Sequence, residues 1–459
     1  MLGHSMSETQ EHTDIRTRLA GIEEHIREQL VMFFQCEEHG TPERISKAGC
    51  MALAKLGATV WNAWRDKFPA ERYGHFDHVN IADFSSVDFN GKQWDFGGEI
   101  CFDGFKFGAG ADFKNAIFPR HTSFERAVFG ESSDFSNAAV DARSSFKHAK
   151  FSRYTKLVSI QLDDWIDFDY AEFEGNNDFS GSSFGHSVRF NGVKFGSDIN
   201  FSDCFFADGV CFETIQDPTV DAVDWIPYGS TSKTFNKISF ERSVFKGFVS
   251  FKNREFRDTT IFDGVTFNQP PDFFGCALHQ DMSFKAVVFP PATGKDFYIR
   301  TYRNLRLSFS QLQAPQEEHM FFQLEMAEIA HGQKGARRCL FYFYEKLSRY
   351  GSSLSRPLFA YLASFILFSC IYAVLSWATH CLPTTQRCSF NMAGVEFAVL
   401  QAIPLPGLEK MAEPLRLALI ASDGFISLAA TIVIVLQKSI SLLLIFLVGL
   451  ALRNIFRIK

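Results

Sequence analysis

The chain of 459 residues carries 46 Lys and Arg against 52 Asp and Glu, a net charge of −6, and is long enough for two or three structural units. Its 53 Phe dominate an aromatic content of 15% and recur in a fixed pattern, so neither base stacking nor a cofactor pocket is needed to explain them. Ten scattered cysteines without a CxxC pair argue against a metal module and fit a reducing compartment, and the polar opening Met1–Gln10 predicts no signal peptide.

In chain order, Ile15, Leu19, Ile22, Ile26 and Leu30 recur at helical spacing and predict an amphipathic helix over 14–36. Thr41-Pro42-Glu43 reads as a second helix start, with Thr41 as N-cap and Pro42 in the first turn, running to Trp61-Asn62-Ala63-Trp64-Arg65. Residues 1–75 are thus expected to be helical, either as a cap on the adjoining repeat region or as a hairpin that binds a partner.

From Phe102 to Phe212 large apolar residues recur at gaps alternating five and six, and the alternation resumes from Phe240 to Phe289; of 31 such slots 27 are Phe. On a helix, gaps of five and six would set successive slots about 140° apart, too far for one core. On a flat strand, their unequal parity would send them to opposite faces. A chain that turns a corner about every five residues points every slot inward, and stacked turns make a β-solenoid over 76–296. Small or β-branched residues two places earlier (Ala111, Ala127, Ser133, Val188, Ile199, Val249) predict a second, smaller inward position. Gly108, Gly130, Gly185 and Gly196 fall at the extra residue of the six-gap, where a glycine backbone conformation is expected.

Ala127-Val128-Phe129, Ser133-Asp134-Phe135-Ser136-Asn137 and Ile199-Asn200-Phe201-Ser202-Asp203 resemble the units of pentapeptide-repeat proteins. The resemblance covers about half of the chain, departs from the family's commoner Leu-centred strict five, and implies a right-handed quadrilateral β-helix with two 11-residue units per coil. It implies about eight coils, a rod on the order of 40 Å long.

The ladder is interrupted at 214–234, where Trp225 and Tyr228 stand among acids and prolines; a plain loop, a degenerate coil and a partner-contact loop are all open. Residues 297–356 then read as a basic helical neck. Pro357–Ala378 carries no charge and predicts a membrane span over about 357–378, and a second span is predicted over about 430–452. Arg337, Arg338, Lys346, Arg349 and Arg356 before the first span, and Arg453 and Arg457 after the second, predict that both flanks face the cytoplasm of a bacterial inner membrane. Between the spans Cys381 and Cys388 are a candidate disulfide, and the short apolar stretch at about 392–408 is expected to be re-entrant or interfacial. Gln437 and Lys438 stand inside the second span, where Lys438 either snorkels to headgroups or lines a polar path with Gln437. Glu317, Phe321-Phe322, Glu325, Tyr350-Gly351-Ser352 and Gly449-Leu450-Ala451-Leu452-Arg453-Asn454 resemble the tail of bacterial membrane-bound pentapeptide-repeat proteins.

No phosphate loop, nucleophile elbow or metal spacing is present, so no enzyme, no catalytic residue, no metal site and no cofactor is expected. Three functions remain: a membrane-anchored scaffold or sensor for a protein partner, a homo-oligomeric two-span pore gated by the solenoid, and a DNA mimic. The last draws on a net −11 between Phe76 and Phe289, but 20 basic residues are interspersed there, and no nucleic acid is expected as a partner.

Overall fold

A computed structural model describes residues 14–73, 77–90, 99–214, 233–380, 393–403, 407–419 and 425–458. It divides into two compact units, Met1–Pro291 and Ala292–Lys459.

The first unit is a β-solenoid. Strands of two or three residues pair in parallel with the strand 22 residues later, as Val128 with Lys150 and Gln161 with Ser183. The parallel pairings form sheets of seven, five, four, three and two strands, and the seven-stranded one is extended by single bridges at Asp88 and Val288. The solenoid has about seven turns. Slot residues form stacked columns: Phe151 lies 4.5 Å from Phe173 with rings 3° from parallel, and Phe206 lies 4.5 Å from Phe245 with rings 2° apart. Columns meet edge to face, as Phe118 meets Phe124 at 5.2 Å and 83°, so both favoured aromatic geometries are used. Val140, Leu157 and Leu162, where Phe is missing, are as buried as their neighbours.

The smaller inward positions are occupied as the spacing predicts. Ala111, Ala127 and Ala149 are fully buried, and the Ser and Thr that replace them are satisfied by nearby carbonyls. Thr122 Oγ1 donates to Pro119 O at 2.7 Å, and Ser182 Oγ donates to Leu157 O of the preceding coil at 2.7 Å. Acids just before slot residues hold the corners: Asp134 Oδ1 accepts from Ser136 N, and Asp178 Oδ1 from Ser180 N, both at 2.9 Å. Left-handed backbone recurs every 11 residues at Asn115, Arg126, Asn137 and His148, two places after a slot.

Two expectations about this unit need correction. Gly108 takes the expected left-handed conformation at φ 81°, but Gly130, Gly185 and Gly196 are not at positive φ; a Cβ on Gly130 would stand 2.3 Å from the Gly108 carbonyl carbon of the coil below, so the requirement there is close approach. Thr41-Pro42 does not start a helix. Gly40–Thr41 pairs antiparallel with Arg44–Ile45, and helix α2 (Lys47–Ala54) begins after Ser46, whose Oγ accepts from Gly49 N at 2.9 Å. Proline suits the second position of a turn as well as a helix start, and Ser46 makes the cap. Around it lie α1 (Glu24–Phe33) and α3 (Ala58–Lys67).

Helix α3 covers the solenoid's first edge. Trp61 packs on Phe84, Phe105 and Phe107 with centroids within 6 Å, and its Nε1 donates to Lys106 O at 2.8 Å. Asn62 acts as a stand-in rung: its Nδ2 donates to Gly104 O at 2.9 Å and its Oδ1 accepts from Lys106 N at 2.8 Å. Edge groups that would otherwise pair with another chain are thereby filled. The columns also begin earlier than the regular spacing suggests, since Phe84 stacks on Phe113 and Phe89 on Phe118.

Three of the sheets run across the interruption, whereas the four-stranded one ends at the Glu172–Lys194 bridge and a separate pair, Thr234–Phe235 with Glu255–Phe256, takes up beyond it. Asp178 pairs with Asn200 22 residues on, whereas Asp198 pairs with Lys237 39 residues on, an excess of 17. Phe235, which the alternation counted from Phe240 overlooks, is fully buried and 5.4 Å from Phe195 in the column below.

The second unit is helical: α4 (Asp296–Gln311), α5 (Pro315–Gly332), α6 (Gly335–Ser348), α7 (Ser355–His380), α8 (Ala393–Ala402), α9 (Leu408–Leu419) and α10 (Phe425–Ile458). Pro315 opens α5 in the first turn, and α4 packs along it. Two helical stretches, Ser355–Leu375 and Leu428–Asn454, are long and apolar enough to cross a membrane, and only 11% and 22% of their most apolar windows are buried.

Candidate functional site

In the second unit several large apolar side chains are exposed while a few polar ones are buried. Phe359, Val374 and Phe446 are more than 60% exposed, while Gln437 and Ser441 are at most 2% exposed. The Gln437 side chain joins three helices: Tyr372 Oη of α7 donates to its Oε1 at 2.8 Å, and its Nε2 donates to Ala398 O of α8 at 2.9 Å. Tyr361 Oη donates to Ala402 O at 3.0 Å, filling one of the carbonyls that the end of α8 leaves open. At the other end of α8, Gly394 faces the Tyr372–Ala373 backbone, where a Cβ would come within 3.3 Å of Ala373 N. Helix α8 therefore runs antiparallel to α7 and is held at both ends, within a core of Phe368, Tyr372, Phe397, Ala398, Ala412 and Ala430.

Sequence reasoning placed Gln437 and Lys438 together. In the structure both amide ends of Gln437 are engaged by helices of its own chain, while Lys438 is half-buried and has an interaction of its own. Trp225, Tyr228, Cys381 and Cys388 lie outside the described residues. No group of three or more His, Cys, Asp or Glu that could hold a metal ion occurs among the described residues.

Two arrangements had no clear sequence signal. Arg254 occupies a small inward position of the solenoid and is fully buried. Its Nε donates to Phe212 O at 2.5 Å, the same bond that Ser243 Oγ makes to Phe201 O one face away. Its Nη1 donates to Val193 O at 2.9 Å, and Nη2 reaches Phe190 O and Glu213 O, both at 3.3 Å. In regular coils a carbonyl such as Ala171 O accepts from the next coil, here Lys194 N. For Val193 that next residue would fall inside the interruption, and Arg254 supplies the donor instead. The guanidinium sits 4.9 Å from the Phe235 ring, and burial pulls its pKa down to about 9. It is a structural plug at the base of the inserted segment.

The other arrangement is in the neck. Glu325, 2% exposed, accepts from Arg303 Nε at 2.7 Å and Arg306 Nε at 2.8 Å. Glu328 Oε2 accepts from Thr293 N at 2.9 Å and Gly294 N at 2.6 Å, tying the loop before α4 to α5. The turn after α6 carries three successive left-handed residues, Arg349, Tyr350 and Gly351. It docks on the end of α10, where Asn454 Nδ2 donates to Gly351 O at 2.9 Å and a Cβ on Gly351 would stand 2.6 Å from Leu450 Cδ2. Two short motifs about a hundred residues apart are thus one contact. No protein family, curated protein or solved structure matches this chain.

Proposed function

We propose that the chain is a membrane-anchored scaffold or sensor of the pentapeptide-repeat type. Its solenoid is a right-handed quadrilateral β-helix on the cytoplasmic side of a bacterial inner membrane, presenting its outer ladders to a protein partner. The observation that carries this reading is the pairing of a self-contained solenoid with two apolar helices whose outward faces stay uncovered. Basic residues at the linked ends of α7 and α10 support the cytoplasmic orientation. The role of Asp134, Asp178 and their equivalents as corner acceptors accounts for much of the acidic bias, which weakens the DNA-mimic reading.

The test is alkaline extraction of membranes followed by protease protection. The full chain is expected in the washed pellet, with the 381–392 segment cut only from the outer side. A chain released by the wash overturns the anchor, and a solenoid digested from the outer side overturns the orientation.

The placement of α8 between the two long helices favours a second reading, an oligomeric pore, because one pair of spans encloses no water path by itself. Mass in detergent and single-channel current separate the two. A monomer without conductance removes the pore. A defined oligomer whose current changes in Lys438→Ala removes the passive scaffold.

A further inference from the structure

Where the neck meets the end of α10 there is a cavity of about 240 Å³. Its walls include Arg306, His319, Phe322, Tyr350, Leu450 and Arg453. Tyr350 is 4% exposed, and its hydroxyl is buried with no hydrogen-bond partner; His319 Nε2 on the same wall is buried and unpartnered as well. Two unmet polar groups on residues that line one cavity are costly unless something completes them.

The charges state what that something is. One carboxylate, Glu325, is shared by Arg303 and Arg306, and its bond to Arg306 uses Nε, which leaves the two terminal nitrogens as donors. Arg453 has a 3.4 Å contact with Asn454 Oδ1. Glu318 adds a carboxylate to the lining, so the cavity suits a single negative charge better than two. Burial, with Glu345 second, pushes the Tyr350 hydroxyl up to about 12, so it stays a donor, and burial lowers the His319 pKa, keeping the ring neutral. Phe322, Pro315 and Leu450 supply apolar wall beside these donors.

The surroundings indicate a lipid surface. Helix α6 ends seven residues before α7 begins and leaves Leu340 72%, Phe343 60% and Tyr342 54% exposed, with Arg337, Arg338 and Lys346 on the same helix. Apolar and basic side chains on one uncovered helix next to a span suit the headgroup layer of an anionic membrane.

We propose that the cavity binds the singly charged phosphodiester headgroup of an anionic phospholipid, with Tyr350 and Arg453 donating to the phosphate oxygens and Arg306 completing the charge. This rests on the membrane reading above. A soluble phosphate shares the same chemistry, and the experiment separates the two sources.

The experiment measures binding to the full chain in neutral detergent of phosphatidylglycerol, diacylglycerol with the same acyl chains, and inorganic phosphate. Phosphatidylglycerol is expected to bind about tenfold tighter than diacylglycerol, because charged hydrogen bonds to phosphate add to the shared apolar contacts. Arg453→Gln is expected to abolish that preference and Tyr350→Phe to reduce it about threefold, with diacylglycerol binding unchanged. Equal binding of the two lipids, or a preference that survives both substitutions, overturns the assignment. Displacement of phosphatidylglycerol by millimolar phosphate overturns the lipid source. Should Tyr350→Phe misfold, Arg453→Gln at an exposed position still decides. Alkaline extraction keeps the readings apart: a chain that stays in the pellet but shows no lipid preference loses only this inference, and a chain that is washed out loses the anchor.

Discussion

The two units solve burial in opposite ways. In the solenoid every slot residue from Phe102 to Phe267 is at most 3% exposed, and charged residues line the outside. In the helical unit Phe359 and Phe446 are 71% and 64% exposed, while Gln437, Ser441 and Glu325 are inside. The first unit closes its first edge with Trp61 and Asn62. The second unit leaves much of the apolar surface of α7 and α10 uncovered. Its specificity comes from a few polar clamps, since apolar contact alone does not distinguish a neighbouring helix from lipid.

The sharpest way to break this comparison is to truncate one Phe in each unit. Phe168 is fully buried and stacked between Phe146 at 4.8 Å and Phe190 at 4.9 Å. Phe168→Ala is expected to cost about 3–5 kcal/mol in denaturant unfolding followed by circular dichroism of the β signal. Phe446→Ala should shift unfolding in detergent by no more than about 0.5 kcal/mol. Similar losses at both sites would show that the helical unit buries Phe446 against protein.

Arg254 provides the next largest effect. Arg254→Met leaves the carbonyls of Phe190, Val193, Phe212 and Glu213 without its donors, and a loss of about 2–4 kcal/mol is expected. Removing the 17 extra residues between Thr214 and Lys233 should restore the regular ladder and make the same substitution much milder. An unchanged penalty in the shortened chain would sink the plug interpretation.

In the helical unit, Gln437→Leu frees Tyr372 Oη and Ala398 O together. A loss of about 1–2 kcal/mol in thermal unfolding in detergent is expected, in line with interhelical hydrogen bonds in apolar surroundings. No change would mean that packing alone holds α8.

The smallest effect is a pH dependence in the solenoid. Asp169 is 7% exposed, and burial, followed by the neighbouring Asp167, raises its pKa to about 6, with Arg189 opposing. Because the folded state holds this proton more tightly than the unfolded chain, the group lowers stability as pH rises from about 4 through about 6. Asp169→Asn keeps an acceptor for Asn191 N and should be more stable than the parent by about 1 kcal/mol at pH 7, with no gain at pH 4. A gain of equal size at both values would assign the effect to packing.

Much of this was legible in the residues. The five–six alternation identifies the inward positions, because each corner repeats the same local demand: a large group inside, a small one two places earlier, an acid to hold the turn. The apolar lengths of α7 and α10 are equally local. Legibility failed where local rules allowed two answers. Pro42 suits a helix start and a turn alike, and the pairing of Gly40–Thr41 with Arg44–Ile45 decides for the turn. Glycine in the six-gap suits positive φ and close approach alike; Gly108 takes the first, and the coil below decides for close approach at Gly130, Gly185 and Gly196.

By itself, then, the sequence determined the period, the solenoid core and the two membrane-length stretches, since these depend on patterns repeated within a few residues. The tertiary structure alone decided that Phe235 rejoins its column, that Arg254 takes over the donors displaced by the insertion, that Gln437 ties α7 to α8, and that Gly351 meets Asn454. The partners in each of these contacts lie 21 to 103 residues apart, and nothing in a repeat or a hydropathy run specifies which distant group will meet a given donor.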